Sequence, residues 1–421
     1  MKDIIVSNVV SKMLSVAIFV AITSCWGGSQ LNKNTQILYT QKNKDFILDE
    51  LKPFADFIEQ CNSSPVDYIM ELFEKYDVVV LGERDHREIS QYDLINQIIS
   101  DPRFIAKVGH IFTEVGVYNM ADELNAVLKG TYSNDAEFDN ELVKVIFNMD
   151  FMPVWEKTNY TKLMKDVYLV NKSLSLTEKI SVTPTEMPFS WEQAKTMTAE
   201  EFEKSVYEMW KHKDLIMGNN AINELYRIFN GPSLRKKALI IYNTPHSCRY
   251  FEYSEKYPFF AYQIIADRFP GRVANVALNW ATMSSNDDYI LSNNGKLDAV
   301  FAAYEYKQIG FDLANSPFGD LVFDFSDAAS ISKVKMKDVY HGFIYYKPIL
   351  EWVISIGIPN LDKIDCKDEL ARRVKIFDNK RYVNKNNEFA YYSRVRSFPM
   401  TMFFNEKQFY EQIGLYYQSE L

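Results

Sequence analysis

Histidine, cysteine and long apolar runs are all scarce in this chain. Its 421 residues include five histidines and four cysteines. The cysteines, at 25, 61, 248 and 366, show no C-x-x-C spacing, so neither a zinc–thiolate site nor a disulfide framework is indicated. Apart from one short run near the start, no apolar stretch approaches the roughly eighteen residues of a membrane-crossing helix. Basic excess is absent too: the formal charge is −9, and clusters such as Arg235-Lys236-Lys237 are short. Nucleic acid is therefore excluded as an expected partner. Internal repeats and low-complexity tracts are also missing. What is present is a hydrophobic fraction of 47% with 24% charge, ordinary for a folded chain. Aromatic residues reach 15%, so the core and any pocket should be rich in rings.

The short apolar run is the exception. Lys2 and Lys12 precede Met13–Ser24 (MLSVAIFVAITS), which is too short to span a bilayer and fits the central region of a signal peptide. It runs into Ile22-Thr23-Ser24-Cys25, which resembles the bacterial lipobox, with Cys25 as the lipidated first mature residue. Trp26-Gly27-Gly28-Ser29 then reads as the start of a tether. The expected organisation is a lipoprotein signal peptide at 1–24, a tether and first helix at 25–60, a catalytic-type α/β domain at 61–350 and a C-terminal appendage at 351–421. The expected location is the bacterial cell envelope, lipid-anchored at the outer membrane.

Within the domain, apolar runs alternate with helical patterns. Strands are expected near 77–81, 110–113, 179–183, 238–243 and 272–279, with a further strand at Phe343–Tyr346. Helical periodicity covers 91–99, 141–149 and 199–229, while Phe311–Asp324, punctuated by proline and glycine, reads as loop. This order predicts an α/β fold: a mainly parallel central sheet, helices on both faces and extra helical segments.

Such sheets bind ligands beyond the carboxyl ends of their strands. Glu83 and His86 follow the first strand, after Gly82. Glu114 follows the second, Glu186 lies just past the third, and His246 follows the fourth. A histidine near its ordinary pKa of about 6.5 can take a proton from water at neutral pH, and a carboxylate on its other nitrogen fixes the tautomer. These residue types suit hydrolysis of an acyl bond by activated water. His110 and His212 read as structural, and Cys248 as a buried thiol.

The same residues carry a resemblance. Leu81-Gly82-Glu83-Arg84-Asp85-His86 resembles the Leu-Gly-Glu-x-x-His signature of the erythromycin esterase and ChaN-like superfamily. Phe112-Thr113-Glu114 resembles its second-strand glutamate. Lys213-Asp214-Leu215-Ile216-Met217-Gly218-Asn219-Asn220 resembles its Arg-Asp-x-x-Met-Ala-x-Asn helix, and Asn243-Thr244-Pro245-His246 its later His-Asn-x-His segment. The resemblance spans roughly 76–280. It implies His86 as base, Glu83 and Glu114 as its carboxylate partners, and His246 as a second catalytic or substrate-orienting group. Asp214, Glu186, Arg84 and Glu88 would support or orient a small-molecule substrate. Asp214 is expected to point to the site with Met217 packed beneath it, and Asn220 to be structural. Arg87 stands where the family has glycine, and the later motif's first histidine is replaced, so the implied substrate is an ester, lactone or related bond rather than a macrolide. No cofactor is required by this reading. Two alternatives stay open: haem, since relatives in the superfamily resemble haem-binding surface proteins and this chain's histidines and tyrosines could supply axial ligands, and a divalent metal on His86, His246, Glu83 and Glu114.

Overall fold

The structure is a computed structural model that describes residues 47–152, 157–249, 260–283, 289–325, 333–377, 398–400 and 406–418. The expected signal peptide, Cys25 and most of the tether lie outside these residues. Within them, no helix is long and apolar enough to cross a membrane.

The main sheet has seven strands. In chain order they are β1 (Val78–Glu83), β2 (His110–Val117), β3 (Ser181–Glu186), β4 (Ala238–Asn243), β5 (Val273–Leu278), then β8 (Ile309–Asp312) and β9 (Gly342–Tyr345). Their spatial order is β3-β2-β4-β1-β5-β9-β8, parallel except for β8, which runs antiparallel to β9. Two short pairs, β6 (Ala281–Met283) with β7 (Tyr289–Leu291) and β10 (Ile354–Ile356) with β11 (Phe398–Met400), stand apart. The mainly parallel α/β architecture expected from sequence is present. Phe311 is the departure: it lies in β8, not in a loop, because pairing with Phe343 and stacking in an aromatic core supply what its local sequence lacks.

Alternation along the strands divides the core. In β1, Val79 and Leu81 face one apolar layer, while Val78 and Val80 face the other. The helices that matter for the site are α1 (Pro65–Lys75), α2 (Gln91–Ser100), α3 (Thr158–Asn171), α4 (Ala199–Lys211), α5 (Lys213–Asn230), α6 (Thr244–Ser247), α7 (Ala261–Arg268) and α8 (Lys367–Phe377). Helix α2 and α3 pack on the first face, α5 and α7 on the second. The helical pattern read across 199–229 is broken at His212, where ψ of 18° interrupts the helix. A capping box between Thr198 and Glu201 starts α4. In α5, Met217, Ala221, Leu225 and Ile228 form one buried stripe.

β4 lies between β1 and β2, so the chain reverses its direction of travel across the sheet beside β1. That reversal opens the crevice in which ligands of such sheets bind. Register brings the site residues level: Leu81 pairs with Ile241, Thr113 with the same Ile241, and Glu83 with Asn243. Between β2 and β3 the register shifts after Thr113, and Val117 meets Glu186. Gly116 sits in that irregularity with φ of 105°, a conformation a side chain would resist. At Gly82 the limit is space, since a Cβ there would meet Ser247 Oγ at 2.9 Å and the Val276 carbonyl at 3.2 Å.

Residues of the C-terminal segment are built into this crest. Ile89 N–H donates to the Val353 carbonyl and Ser355 N–H to the Arg87 carbonyl, so the Gly82–Glu88 loop is clamped from outside the sheet.

Candidate active site

Glu83 ends β1 and is almost fully buried. Its Oε2 lies 2.9 Å from His86 Nδ1, and its Oε1 accepts from Tyr92 OH at 2.6 Å and Asn159 Nδ2 at 3.0 Å. Two donors besides the imidazole thus fix the carboxylate and, through it, the ring. His246 is held in the same way. Its ring is carried by α6, which Thr244 ties to the Glu83 carbonyl at 2.8 Å, and its Nδ1 lies 2.8 Å from Asp214 Oδ1. Asp214 is fixed in turn by the Ala261 N–H at 2.8 Å.

The two histidine–carboxylate pairs meet at Glu114. Its Oε1 is 3.3 Å from His246 Nε2 and 3.7 Å from His86 Nε2, while its Oε2 accepts the Asn243 N–H at 2.8 Å. Behind it, Lys213 Nζ donates to Glu114 Oε1 at 2.8 Å and lies 3.3 Å from Glu186 Oε1. Glu114 and Glu186 are buried, whereas the His86 and His246 side chains keep 13% and 19% of their surface open. The histidines are therefore the solvent-facing layer of a buried charge network.

Burial alone would lower both histidine pKa values, but the carboxylates outweigh it. Glu83 and then Glu114 hold His86 well above its usual range, and Asp214 with Glu114 raises His246 to about 9. His246 is thus imidazolium at neutral pH, and the carboxylates around His86 favour its protonated form, a departure from the expectation of a histidine near its ordinary pKa. Burial would raise the Glu114 pKa, yet His246, Lys213 and His86 together hold it well below the usual carboxylate range. Glu186 goes the other way, to about 7, because burial and the neighbouring Asp150 and Glu114 outweigh Lys213.

Of the residues picked out by sequence, His86, Glu83, Glu114, His246 and Asp214 come together, with Glu186 one step behind through Lys213. Met217 is fully buried in the core against the second face of the sheet, and Asn220 donates to the Thr185 carbonyl at 2.9 Å, tying α5 to β3. Arg84 and Glu88 do not join them. Arg84 turns to the β5 side of β1, where it bonds Glu88 at 3.1 Å, Asn279 at 2.6 Å and the Tyr346 carbonyl, beneath the Trp352 ring. Glu88 also accepts from Ser90 N–H at 2.7 Å and Gln91 N–H at 3.1 Å at the start of α2. The fold engages both ends of this pair, with the buried Arg84 Nε left without a hydrogen-bond partner among the described residues. Arg87, where a glycine was expected, is matched by Asp85 through two contacts of 2.9 and 2.7 Å. Cys248 is a buried thiol pushed up to about 12 by burial.

Sequence reasoning missed Tyr92, Asn159 and above all Lys213. One signal was available: a lysine at the first position of α5 opposes the helix dipole, so something stronger must hold it there. The metal alternative meets the same lysine. Among the described residues, no group of three or more His, Cys, Asp or Glu side chains is placed to hold one ion. The Lys213 ammonium stands between the two innermost carboxylates, so the set His86, His246, Glu83 and Glu114 does not fit a metal.

No protein-family profile and no curated protein matches this chain. Solved structures give distant likenesses. A succinoglycan biosynthesis protein is 11% identical over 76% of this chain and 98% of its own, with a TM-score of 0.44. A protein from Bacillus cereus is 12% identical over 69% and 96%, with a TM-score of 0.41. ChaN of Campylobacter jejuni, in a structure of cofacial haem binding, is 15% identical over 50% and 84%, with a TM-score of 0.30. At this distance none of them bears on what the chain does, and the resemblance to the erythromycin esterase and ChaN-like superfamily rests on its local motifs.

Proposed function

We propose that this chain hydrolyses an ester, lactone or related acyl bond with water activated by His86. The observation that carries the reading is the convergence of two carboxylate-fixed histidines on one buried glutamate at the strand ends. In its neutral form His86 takes a proton from water while the water oxygen bonds to the acyl carbon. The His246 imidazolium stabilises the resulting oxyanion. Collapse breaks the acyl–oxygen bond, and the proton on His86 passes to the departing alkoxide. Glu83, Asp214 and Glu114 act through the rings as positioning residues. No metal and no covalent intermediate enters this sequence.

A panel of ester and lactone substrates tests it. His86→Ala is expected to lower turnover by about 10²–10⁴-fold, the usual worth of general base catalysis, and His246→Ala by about 10²–10³-fold, that of an oxyanion contact. Full turnover in His86→Ala would end the hydrolytic reading. Failure of every substrate, together with a Soret band on adding haem that His86→Ala abolishes, would replace it with haem binding.

The same proposal places the enzyme on a membrane through Cys25, supported by the apolar run and lipobox-like residues before it. Cys25→Ser is expected to move the protein from the membrane fraction to the soluble fraction. Unchanged fractionation of that variant would count against the anchor.

A further inference from the structure

Lys213 is a buried cation on the inner side of the histidine pair. Its side chain is 9% exposed, lies against the Trp210 ring at 4.8 Å, and reaches Glu114 at 2.8 Å and Glu186 at 3.3 Å. Two carboxylates converge on this ammonium, with the His86 and His246 rings on the far side of Glu114, and paired carboxylates are ligands that divalent metals accept. Here an ammonium fills the position in which such an ion would bridge Glu114 and Glu186. Asp150 near Glu186 has its own cation, Lys157, at 3.3 Å, so Lys213 is the counter-charge for the inner glutamates.

We propose that Lys213 is a positioning residue that takes the place of a divalent cation, holding the Glu114 carboxylate toward both histidines and keeping metal out of the site. The reasoning is one of charge and room. A lysine at a helix N-terminus gives up dipole stabilisation and rotamer freedom, and the two carboxylates offset both costs. Without the ammonium, Glu186, already held at about 7, would give up its proton only with another cation joining it to Glu114 beside His246 and His86. That arrangement would recruit a dication from solution. Arginine, the residue at the matching place in the resembled motif, would also supply a fixed cation; neutral side chains would not.

Cobalt(II) titration followed by visible absorbance reads the metal part without any need for turnover. Wild type and Lys213→Arg are expected to give no cobalt spectrum, while Lys213→Ala gains stoichiometric binding at least about tenfold tighter than wild type. Lys213→Gln serves as the second neutral variant if Lys213→Ala fails to fold, with thermal melting as the control for folding. Stoichiometric cobalt binding by wild type overturns the proposal by itself, as does equal binding by wild type and a folded neutral variant. The rate part rests on the hydrolytic reading. There, Lys213→Gln should shift the pH profile of turnover, because the titration of His86, His246 and Glu114 is no longer referred to a fixed cation, and Lys213→Arg should restore it. An unchanged pH profile in Lys213→Gln would mean that the lysine is structural only.

Discussion

Replacing Glu114 with leucine is expected to abolish turnover and to lower stability by about 3–5 kcal/mol, the range for removing one member of a buried ion pair. Three cationic groups depend on this carboxylate: Lys213 at 2.8 Å, His246 at 3.3 Å and His86 at 3.7 Å. A fourth partner, the Asn243 N–H, caps its other oxygen. Leucine would fill most of the volume but leave the buried Asn243 N–H without its acceptor and strip one carboxylate from each of three cations, which would keep only Glu186, Asp214 and Glu83. Glu114→Gln separates charge from shape. It keeps one carbonyl oxygen for Lys213 or Asn243, so its stability loss should be smaller, while turnover falls as far as in the leucine variant. Glu208→Ala, on an exposed face of α4, is the reference and should change stability by no more than about 0.5 kcal/mol. Chemical denaturation of the four proteins decides the matter. A leucine variant as stable as wild type would show that the network holds its cations by some other route.

That network explains which parts of the site could be read from the chain and which could not. Glu83, Glu114 and His246 are legible because each lies at or just beyond the end of an apolar run. Glu83 closes β1, Glu114 sits inside β2 and His246 lies in α6, yet the ends of such runs in a parallel sheet converge by geometry alone. Their levelling across β1, β4 and β2 follows from register, as the pairing of Glu83 with Asn243 shows. Asp214 was reachable through helical spacing from Met217, which fixes the side of α5 that it shares. Lys213 and Asn159 are different, because their roles depend on how α5 and α3 are set against the sheet. Nothing in a local window encodes that angle. Arg84 and Glu88 failed for the opposite reason. Their sequence position beside Glu83 suggested a shared site, but alternation at the end of a strand sends neighbours to opposite sides, and Arg84 joins Asn279 and the Tyr346 carbonyl. β8 was hidden because it is an edge strand that owes its existence to β9 and to rings around Phe311.

Activity and stability should run in opposite directions as pH rises. The proposed mechanism needs His86 neutral, yet Glu83 and Glu114 hold its pKa well above the ordinary value, against the effect of burial. Turnover should therefore keep rising above pH 6.5 instead of levelling off there, and fall again as the His246 imidazolium that serves the oxyanion loses its proton at about 9. The stability sign follows from the same shift. A histidine whose folded pKa is raised stabilises the fold fully below its unfolded value, about 6.5, and that contribution disappears as pH rises through the folded value. For His246, raised to about 9, the loss is on the order of 3 kcal/mol across that window. Melting temperature should thus fall between neutral pH and the high single digits while the rate rises. Glu83→Gln tests the link, because it removes the strongest of the charges that favour protonated His86. Its rate profile should move toward lower pH by roughly one to three pH units, with a lower plateau, and part of the alkaline loss of stability should vanish with it. A wild-type rate limb centred near pH 6.5, or an identical limb in Glu83→Gln, would mean that His86 does not gate the reaction. If both shifts appear together, the carboxylate that fixes the ring also sets the pH at which it can act, and the resting site stays protonated and stable until the solution is alkaline enough to release it.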